Sequence, residues 1–306
     1  MSHINKSLEG LHRAMTAREQ REAATVKPLE AKVFQFPLPF GEDTRAVSNK
    51  IARCALFSAV KKRQFFRDYV TVGEVNGAKV EIQGEQLNQD DHDTLLQLVK
   101  MATHKPYGVD IIQSVNAVLE GLGRGTHQEQ RRQLFDQISR LVRGTVRLTL
   151  PNVPRYEGHL VNDCSTPQDQ ATEPQHRRHL AYSLNPKFGR FYGENEITLT
   201  DWKQRLKIKG RGSELAKWLQ LHIESHAQQF AHKVETIRER CGSETKELYR
   251  FRQQLRHALE LLKEAGIIND WQIDPETDLV TIDRTPSPSQ QKHLVRKAVR
   301  KPKKPR

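Results

Sequence analysis

The chain is poor in cysteine. Its three thiols, Cys54, Cys164 and Cys241, are widely spaced in 306 residues. An odd number at that spacing supports neither a disulfide framework nor a cysteine zinc site. Long apolar runs are missing as well. No stretch of about 18 apolar residues exists, so no membrane-spanning helix is expected. The first residues, Met1 to Gln20, are polar and mixed in charge, unlike a secretory leader. A cytoplasmic chain is the expectation. Signatures of catalysis are equally scarce. Gly121-Leu122-Gly123-Arg124-Gly125 lacks the Gly-Lys-Ser/Thr ending of a phosphate loop and reads as a helix terminator and turn. His222 and His226 have a spacing that can hold zinc on a helix. The residues between them are Ile223-Glu224-Ser225, not the Glu-x-x of a metalloprotease, and no third ligand is evident. No His-apolar-His pair stands beside a tyrosine, as a DNA-nicking enzyme needs, and no paired carboxylates stand out. The expectation is therefore no enzyme, no cofactor and no metal.

Positive charge is what the chain has in excess. Lys and Arg number 50 against 37 Asp and Glu, a net charge of +13. Such a balance attracts polyanions, chiefly nucleic acid or an acidic membrane. Eight of the 13 excess charges fall in Lys292–Arg306, where there is no acid at all. The rest of the chain is only mildly basic, so net charge alone does not name a partner.

The pattern predicts an α+β protein. Met1 to about Glu30 is expected to be a mobile arm. Val33 to Phe40 is an apolar island that Pro37 and Pro39 keep from being helical. Arg67–Gln83 alternates apolar residues around Asn76-Gly77, the strongest short hairpin signal because both turn positions accept positive φ. A helix follows over Asp91–His104, then a short strand (Val109–Ile112), a short helix carrying Val115, Val118 and Leu119, and a long helix over Thr126–Arg143. Thr145–Leu150 starts a strand, and Pro151–Gln175 reads as a loop or extended wing. The order recurs: a helix at Glu214–Ser225, a possible strand at Gln228–His232, a short helix at Val234–Cys241, and a long helix capped by Ser243 and ending at Gly266. Ile267–Ile273 and Leu279–Ile282 then read as a hairpin. The expectation is two tandem winged helix-turn-helix domains, at 59–186 and 187–285, between a flexible arm (1–58) and a basic disordered tail (286–306).

Chemistry is expected on the faces that the core does not use. On the second long helix, Lys246, Arg250, Gln253 and His257 lie opposite the Leu248/Leu255 stripe at 100° per residue. Arg and Lys match guanine O6/N7 and phosphate, and Gln matches adenine N6/N7. A helix after a tight Gly-Ser turn would enter a major groove by its N-terminal end, which favours Lys246, Tyr249, Arg250 and Gln253 as leading contacts to double-stranded DNA. The first long helix shows a more mixed face: Arg132, Gln133, Arg140 and Arg143 beside Glu129 and Asp136. The alternative is that both strips are ordinary solvated helix faces.

In this context the residues resemble the TrfA-type plasmid replication initiators. Ala52-Arg53-Cys54-Ala55-Leu56-Phe57 is similar to their Ala-Arg-Ser-Ala-Leu-Phe segment, with Cys for Ser. Gly84-Glu85-Gln86-Leu87-Asn88-Gln89-Asp90-Asp91 resembles their Gly-x-x-Leu-x-x-Asp-Asp step into a helix. Val234-Glu235-Thr236-Ile237-Arg238, followed by Cys241-Gly242-Ser243, looks like their second helix-turn-helix. The likeness spans about Phe34 to Ile282. It departs from the family over Pro151–Gln175 and in the basic tail, which either adds salt-dependent phosphate affinity or merely solubilises the chain. The resemblance implies an initiator that binds direct repeats (iterons) at a plasmid origin, helps open the duplex, and recruits the host initiator and replicative helicase. It also implies monomers as the active form, with dimers limiting copy number. Gln35, Leu38 and Phe40 are similar to a peptide that docks on the bacterial sliding clamp. The other reading is an arm packed on the protein itself. Two rival functions remain: a winged-helix transcriptional repressor, and a rolling-circle nickase.

Overall fold

The computed structural model describes residues 41–291 except 76, 104, 106, 107, 151, 152, 166–177, 193–196, 229, 230, 288 and 289, and also residues 294 and 295. The chain enters the fold through β1 (Thr44–Ser48), a four-residue helix α1 (Asn49–Ala52) and β2 (Phe57–Ser58). Ala46, Val47, Ile51, Leu56 and Phe57 are all buried. The arm expected over 1–58 therefore does not extend that far. Each of these elements is too short to show a hydrophobic period, so the sequence pattern could not reveal them.

Next, β3 (Phe65–Val75) and β4 (Ala78–Glu85) form the expected hairpin. Val75 stands opposite Ala78, and Gly77 takes a φ of 76°. Along β4, buried Ala78, Val80 and Ile82 alternate with half-buried Lys79, Glu81 and Gln83, so one face meets the core. A short strand β5 (Leu87–Asn88) runs into helix α2 (Gln89–Met101). Asn88 caps this helix by accepting from the Asp90 and Asp91 backbone, while Asp91 accepts from the Asn88 N–H. This reciprocal box fixes where the helix starts.

β6 (Ile111–Ser114), α3 (Val115–Gly121) and the long helix α4 (Gln128–Arg143) follow, then β7 (Thr145–Leu150), β8 (Val153–His159), β9 (Val161–Ser165) and β10 (His179–Leu184). Here the structure corrects the sequence reading. The stretch expected as a loop or extended wing, Pro151–Gln175, holds two strands, β8 and β9, which belong to different sheets, and β7 is the neighbour of the first. β7 pairs antiparallel with β4 and β8, giving a four-stranded sheet in the order β3-β4-β7-β8. The hairpin that closes onto β6 is β9–β10, in the order β6-β10-β9. Buried Val146 and Leu148 alternating with Arg147 and Thr149 announce a half-buried strand, but alternation does not say which strand is the partner.

A 3₁₀ turn (Pro186–Phe191) leads to β11 (Ile197–Asp201), which pairs antiparallel with β1. Then come α5 (Trp202–Lys207), α6 (Ser213–Glu224), β12 (His232–Lys233), α7 (Val234–Arg240), the long helix α8 (Leu248–Glu264), β13 (Asp270–Ile273) and β14 (Leu279–Asp283). The last sheet has the order β12-β14-β13. One sequence of elements thus occurs twice: α2-β6-α3-α4-β9-β10 and α6-β12-α7-α8-β13-β14. In both, the final strand lies between the first and the middle one.

Two apolar cores match this repetition. The first runs from Ala46 to Trp202 and includes Leu221 of α6. The second starts at Ile208 and holds Leu215, Trp218 and Leu219 of the same helix, with Phe251, Leu255, Leu259 and Leu262 of α8. Helix α6 therefore serves both cores, and packing changes hands near Ile208 instead of at residue 187. The tail expected from 286 begins folded. Gln290 donates to the carbonyls of Glu224 (2.6 Å) and His226 (3.4 Å), which ties this residue to the end of α6. Apart from Leu294 and Val295, the basic stretch Lys292–Arg306 lies outside the described residues.

Candidate nucleic-acid interface

Helix α8 owes its orientation to a strict division of faces. Phe251, Leu255, Ala258, Leu259 and Leu262 are fully buried, at helical spacing. Tyr249, Arg250, Gln253 and Gln254 lie on the exposed side. The turn before the helix differs from the sequence expectation. Gly242 takes a left-handed φ of 67°, and its N–H donates to Glu239 O while the Ser243 N–H donates to Arg238 O. That pattern closes α7. Ser243 is thus bound to the end of one helix and does not cap the next. Helix α8 begins at Leu248, where the Glu247 carbonyl accepts from Arg250 and Phe251. Lys246 falls in the turn, exposed, with its carbonyl accepting from Arg238 at 2.8 Å. It is therefore not on the helical strip that 100° spacing assigned to it.

The remaining predicted contacts come together in one groove. Tyr249, Arg250, Gln253 and His257 line it from the helix side, and Lys61, Lys62 and Arg211 line it from the other. The Arg250 guanidinium donates to the Tyr249 hydroxyl at 2.8 Å. The His257 ring nitrogen lies 2.8 Å from the Arg211 carbonyl, so this ring holds the Gly210–Gly212 loop as well as facing solvent. Sequence reasoning missed Lys61, Lys62 and Arg211. They sit in irregular segments far from α8 in the chain, and no spacing connects them. Arg252, on the flank of α8, makes a bidentate pair with Asp278 at 2.8 and 2.9 Å. Asp278 is the residue of the β13–β14 turn with φ of 58°, so this pair fixes that hairpin to the helix.

Helix α4 gives a weaker surface. Arg132 and Gln133 are exposed, but both donate to Glu129. Arg143 is exposed at the helix end. Arg140 is taken up inside the protein. It pairs with the buried Asp91 carboxylate at 2.9 Å and lies 3.8 Å from Glu85. The structure therefore places Arg140 as an anchor of the α2 capping box, not as a free cation. A basic residue at helical spacing looks the same in sequence whether its partner is water or a carboxylate 49 positions away.

The two modules are joined by a polar network. Arg205 of α5 has no solvent exposure. It donates to Asp93 and Gln89 of α2, and to the Lys217 carbonyl and the Gln220 side chain of α6. Lys217 adds a second cation 2.7 Å from Asp93. Burial pushes the Asp93 carboxyl up, but the Arg205 and Lys217 charges outweigh it and hold Asp93 well below the usual carboxylate range.

His222 and His226 gain a neighbour that the sequence did not suggest. His232 of β12 approaches both, with ring centroids 5.6 and 6.4 Å away. His222 stacks on Trp218 at 4.7 Å, and both its ring nitrogens are buried without a partner. Burial, then the neighbouring rings and the charges of Arg240 and Arg53, hold His222 well below its usual value. Burial lowers His226 to about 4. Among the described residues no side-chain group is arranged to hold a metal ion, and no helix is long and apolar enough to cross a membrane. The clamp-like residues Gln35, Leu38 and Phe40 lie outside the described residues.

No family model matches the chain. Among curated proteins it is similar to the plasmid replication initiator protein TrfA of Escherichia coli, at 22% identity over 278 residues, covering 88% of this chain and 71% of TrfA. Among solved structures it is similar to domains 2–3 of RctB, with a TM-score of 0.50 and 14% identity over 78% of this chain and 97% of that one. A structure of the Pi initiator protein with iteron DNA aligns with a TM-score of 0.46 and 12% identity, over 62% of this chain and 90% of that one. By sequence, across most of its length, the chain is similar to a plasmid replication initiator of the TrfA type.

Proposed function

We propose that this protein is a plasmid replication initiator that binds double-stranded origin DNA at direct repeats through two winged-helix modules. The observation that carries the reading is the free polar face of α8. Tyr249, Arg250 and Gln253 are exposed on the first turns of a helix whose opposite face is locked in the second core. That is the arrangement in which the N-terminal end of a helix can enter a major groove. The twofold order of helix, strand, helix, long helix and hairpin supports tandem winged helices, and the relation to TrfA supports initiation over plain repression. Binding by α8 supplies sequence discrimination, while Arg132, Gln133 and Arg143 of α4 offer a second, weaker set of contacts in an adjacent groove. Opening of the duplex, recruitment of the host initiator, replicative helicase and sliding clamp, and control by dimerisation belong to the same reading and rest on the family resemblance.

The test is selection of duplexes from a random library by the full chain, followed by footprinting on the enriched sequences. The expected result is a repeat-sized site, with Arg250→Ala costing about 1 to 3 kcal/mol and relaxing the preference at one base position. No preference over unselected DNA would refute the reading. Equal weakening on every sequence would reduce Arg250 to a phosphate contact.

A further inference from the structure

The groove beside α8 has a second wall, and that wall reaches towards the first long helix. Lys61 and Lys62 are exposed in the segment after β2, and Arg211 is exposed in the loop before α6. All three line the groove with Arg250 and Gln253. The next two residues of the same segment are held by side-chain bonds. The Gln64 side chain donates to Glu244, in the turn before α8, at 2.8 Å. Arg63 pairs with Asp91 at 3.3 Å and lies 4.0 Å from Glu85, the two carboxylates that also hold Arg140 of α4. Through these two adjacent residues the segment is tied to the turn before α8 and to the carboxylates that also hold Arg140 of α4. Its two lysines come immediately before this double anchor and line the α8 groove.

The charge of this wall is not cancelled by its surroundings. Neither Lys61, Lys62 nor Arg211 has a carboxylate within ion-pair distance among the described residues. Glu244 on the rim is already engaged by Gln64. Glu214 lines the groove too, but burial and then the nearby Asp90 raise its carboxyl to about 7, which weakens its negative charge at neutral pH. Exposed cations on a rigid strip between two reading helices match the phosphate chain that separates two successive grooves, where contacts fix register without reading sequence.

We propose that Lys61, Lys62 and Arg211 form a phosphate-binding bridge that holds one strand of duplex DNA between the two long helices. The inference rests on the DNA-binding reading of α8. It adds a site that sets affinity and register but not sequence preference.

The test compares the full chain with the Lys61→Gln/Lys62→Gln/Arg211→Gln variant on two probes: a duplex enriched by the wild-type chain, and an unselected duplex of equal length. Affinity is measured as salt is raised fourfold. Three lost phosphate contacts lower the slope of log affinity against log salt by about 2.7, so wild-type binding should fall roughly 40-fold more than variant binding over that range. The effect should appear on both probes, with the preferred sequence unchanged. The charge-keeping variant Lys61→Arg/Lys62→Arg/Arg211→Lys should restore the slope. An unaltered slope in the Gln variant, or a changed preferred sequence, overturns the bridge. Failure of the wild type to prefer its enriched duplex instead counts against the α8 reading, and the unselected duplex still reports on the bridge.

Discussion

Replacing Arg205 with methionine should separate stability from surface chemistry, because Arg205 touches no solvent and yet joins both modules. Methionine keeps much of the length and loses every donor. Asp93 keeps Lys217 at 2.7 Å, so its charge is not wholly orphaned. The Gln89 and Gln220 side-chain oxygens and the Lys217 carbonyl each lose a donor. Breaking a buried ion pair from one side costs about 3 to 5 kcal/mol. The surviving lysine argues for the lower end, and the three deserted acceptors argue for the upper. A loss of about 4 kcal/mol is a large part of the 5 to 15 kcal/mol that typically holds a domain folded. Urea unfolding followed by tryptophan fluorescence measures it, since Trp202 sits in the first core and Trp218 in the second. The paired variant Arg205→Met/Asp93→Leu should not restore stability, because it also takes from Lys217 its carboxylate at 2.7 Å and leaves it only Asp90 at 3.3 Å. A second readout is independent of stability. Burial and then the Arg205 charge hold His92 down at about 3, so loss of Arg205 should raise the His92 pKa in NMR titration. A midpoint change worth less than about 1 kcal/mol, within the reach of an ordinary surface substitution, together with an unmoved His92, would refute the account of this network.

Acid should destabilise the protein well before its carboxylates titrate fully. His92 and His222 are neutral in the fold because burial depresses both, whereas an unfolded histidine binds a proton near 6.5. The unfolded chain then holds more protons, so their contribution is complete above about pH 6.5 and is lost as pH falls towards their folded values. Each ring contributes a loss of about 1.4 kcal/mol per pH unit in that window. Urea midpoints at pH 7 and pH 5 measure the slope, and a flat profile contradicts neutral buried rings. At the wing, Asp278→Asn keeps a residue that tolerates the φ of 58° but removes the carboxylate held by Arg252. The expected cost is about 1 kcal/mol in thermal stability, with weaker binding to an enriched duplex. Unchanged binding would mean that the hairpin does not help to position α8. The α7–α8 turn offers a backbone test. A Cβ at Gly242 would lie 2.9 Å from Ala55 Cβ and 3.0 Å from Ser58 Cβ, at a φ of 67°. Gly242→Ala should therefore cost about 1 to 3 kcal/mol, read by thermal melting, and a neutral result would contradict the close packing of this turn.

The long elements were legible in the sequence because each carries its own period. The α8 stripe of Phe251, Leu255, Leu259 and Leu262 is buried as the spacing predicts, and the β3–β4 hairpin turns where Asn76-Gly77 predicts. Short or paired elements were not legible. β1 reaches across the chain to β11, and β7, expected only as a strand, joins β4. Strand partners are chosen by the assembled fold, not by local alternation. Helix starts failed where a polar residue had two possible tasks. Asn88 does cap α2, but Ser243, an equally good cap by type, is drawn into closing α7 by the left-handed Gly242.

The same competition for partners explains why the two long helices differ as candidate DNA readers. Both carry Arg and Gln at exposed-looking spacings. On α4 the carboxylates lie on the same face or just beneath it: Glu129 holds Arg132 and Gln133, and Asp91 holds Arg140. On α8 the acidic partner is displaced to the β13–β14 turn, where Asp278 engages Arg252, on the flank. Arg250 and Gln253 are left facing solvent, with Lys61, Lys62 and Arg211 across the groove. A phosphate chain approaching α4 must compete with carboxylates for Arg132 and Arg140, whereas at α8 Arg250 is engaged by a tyrosine hydroxyl and by no carboxylate within ion-pair distance among the described residues. If both helices meet DNA, α8 should carry the discrimination between sequences and α4 should add affinity that salt removes readily.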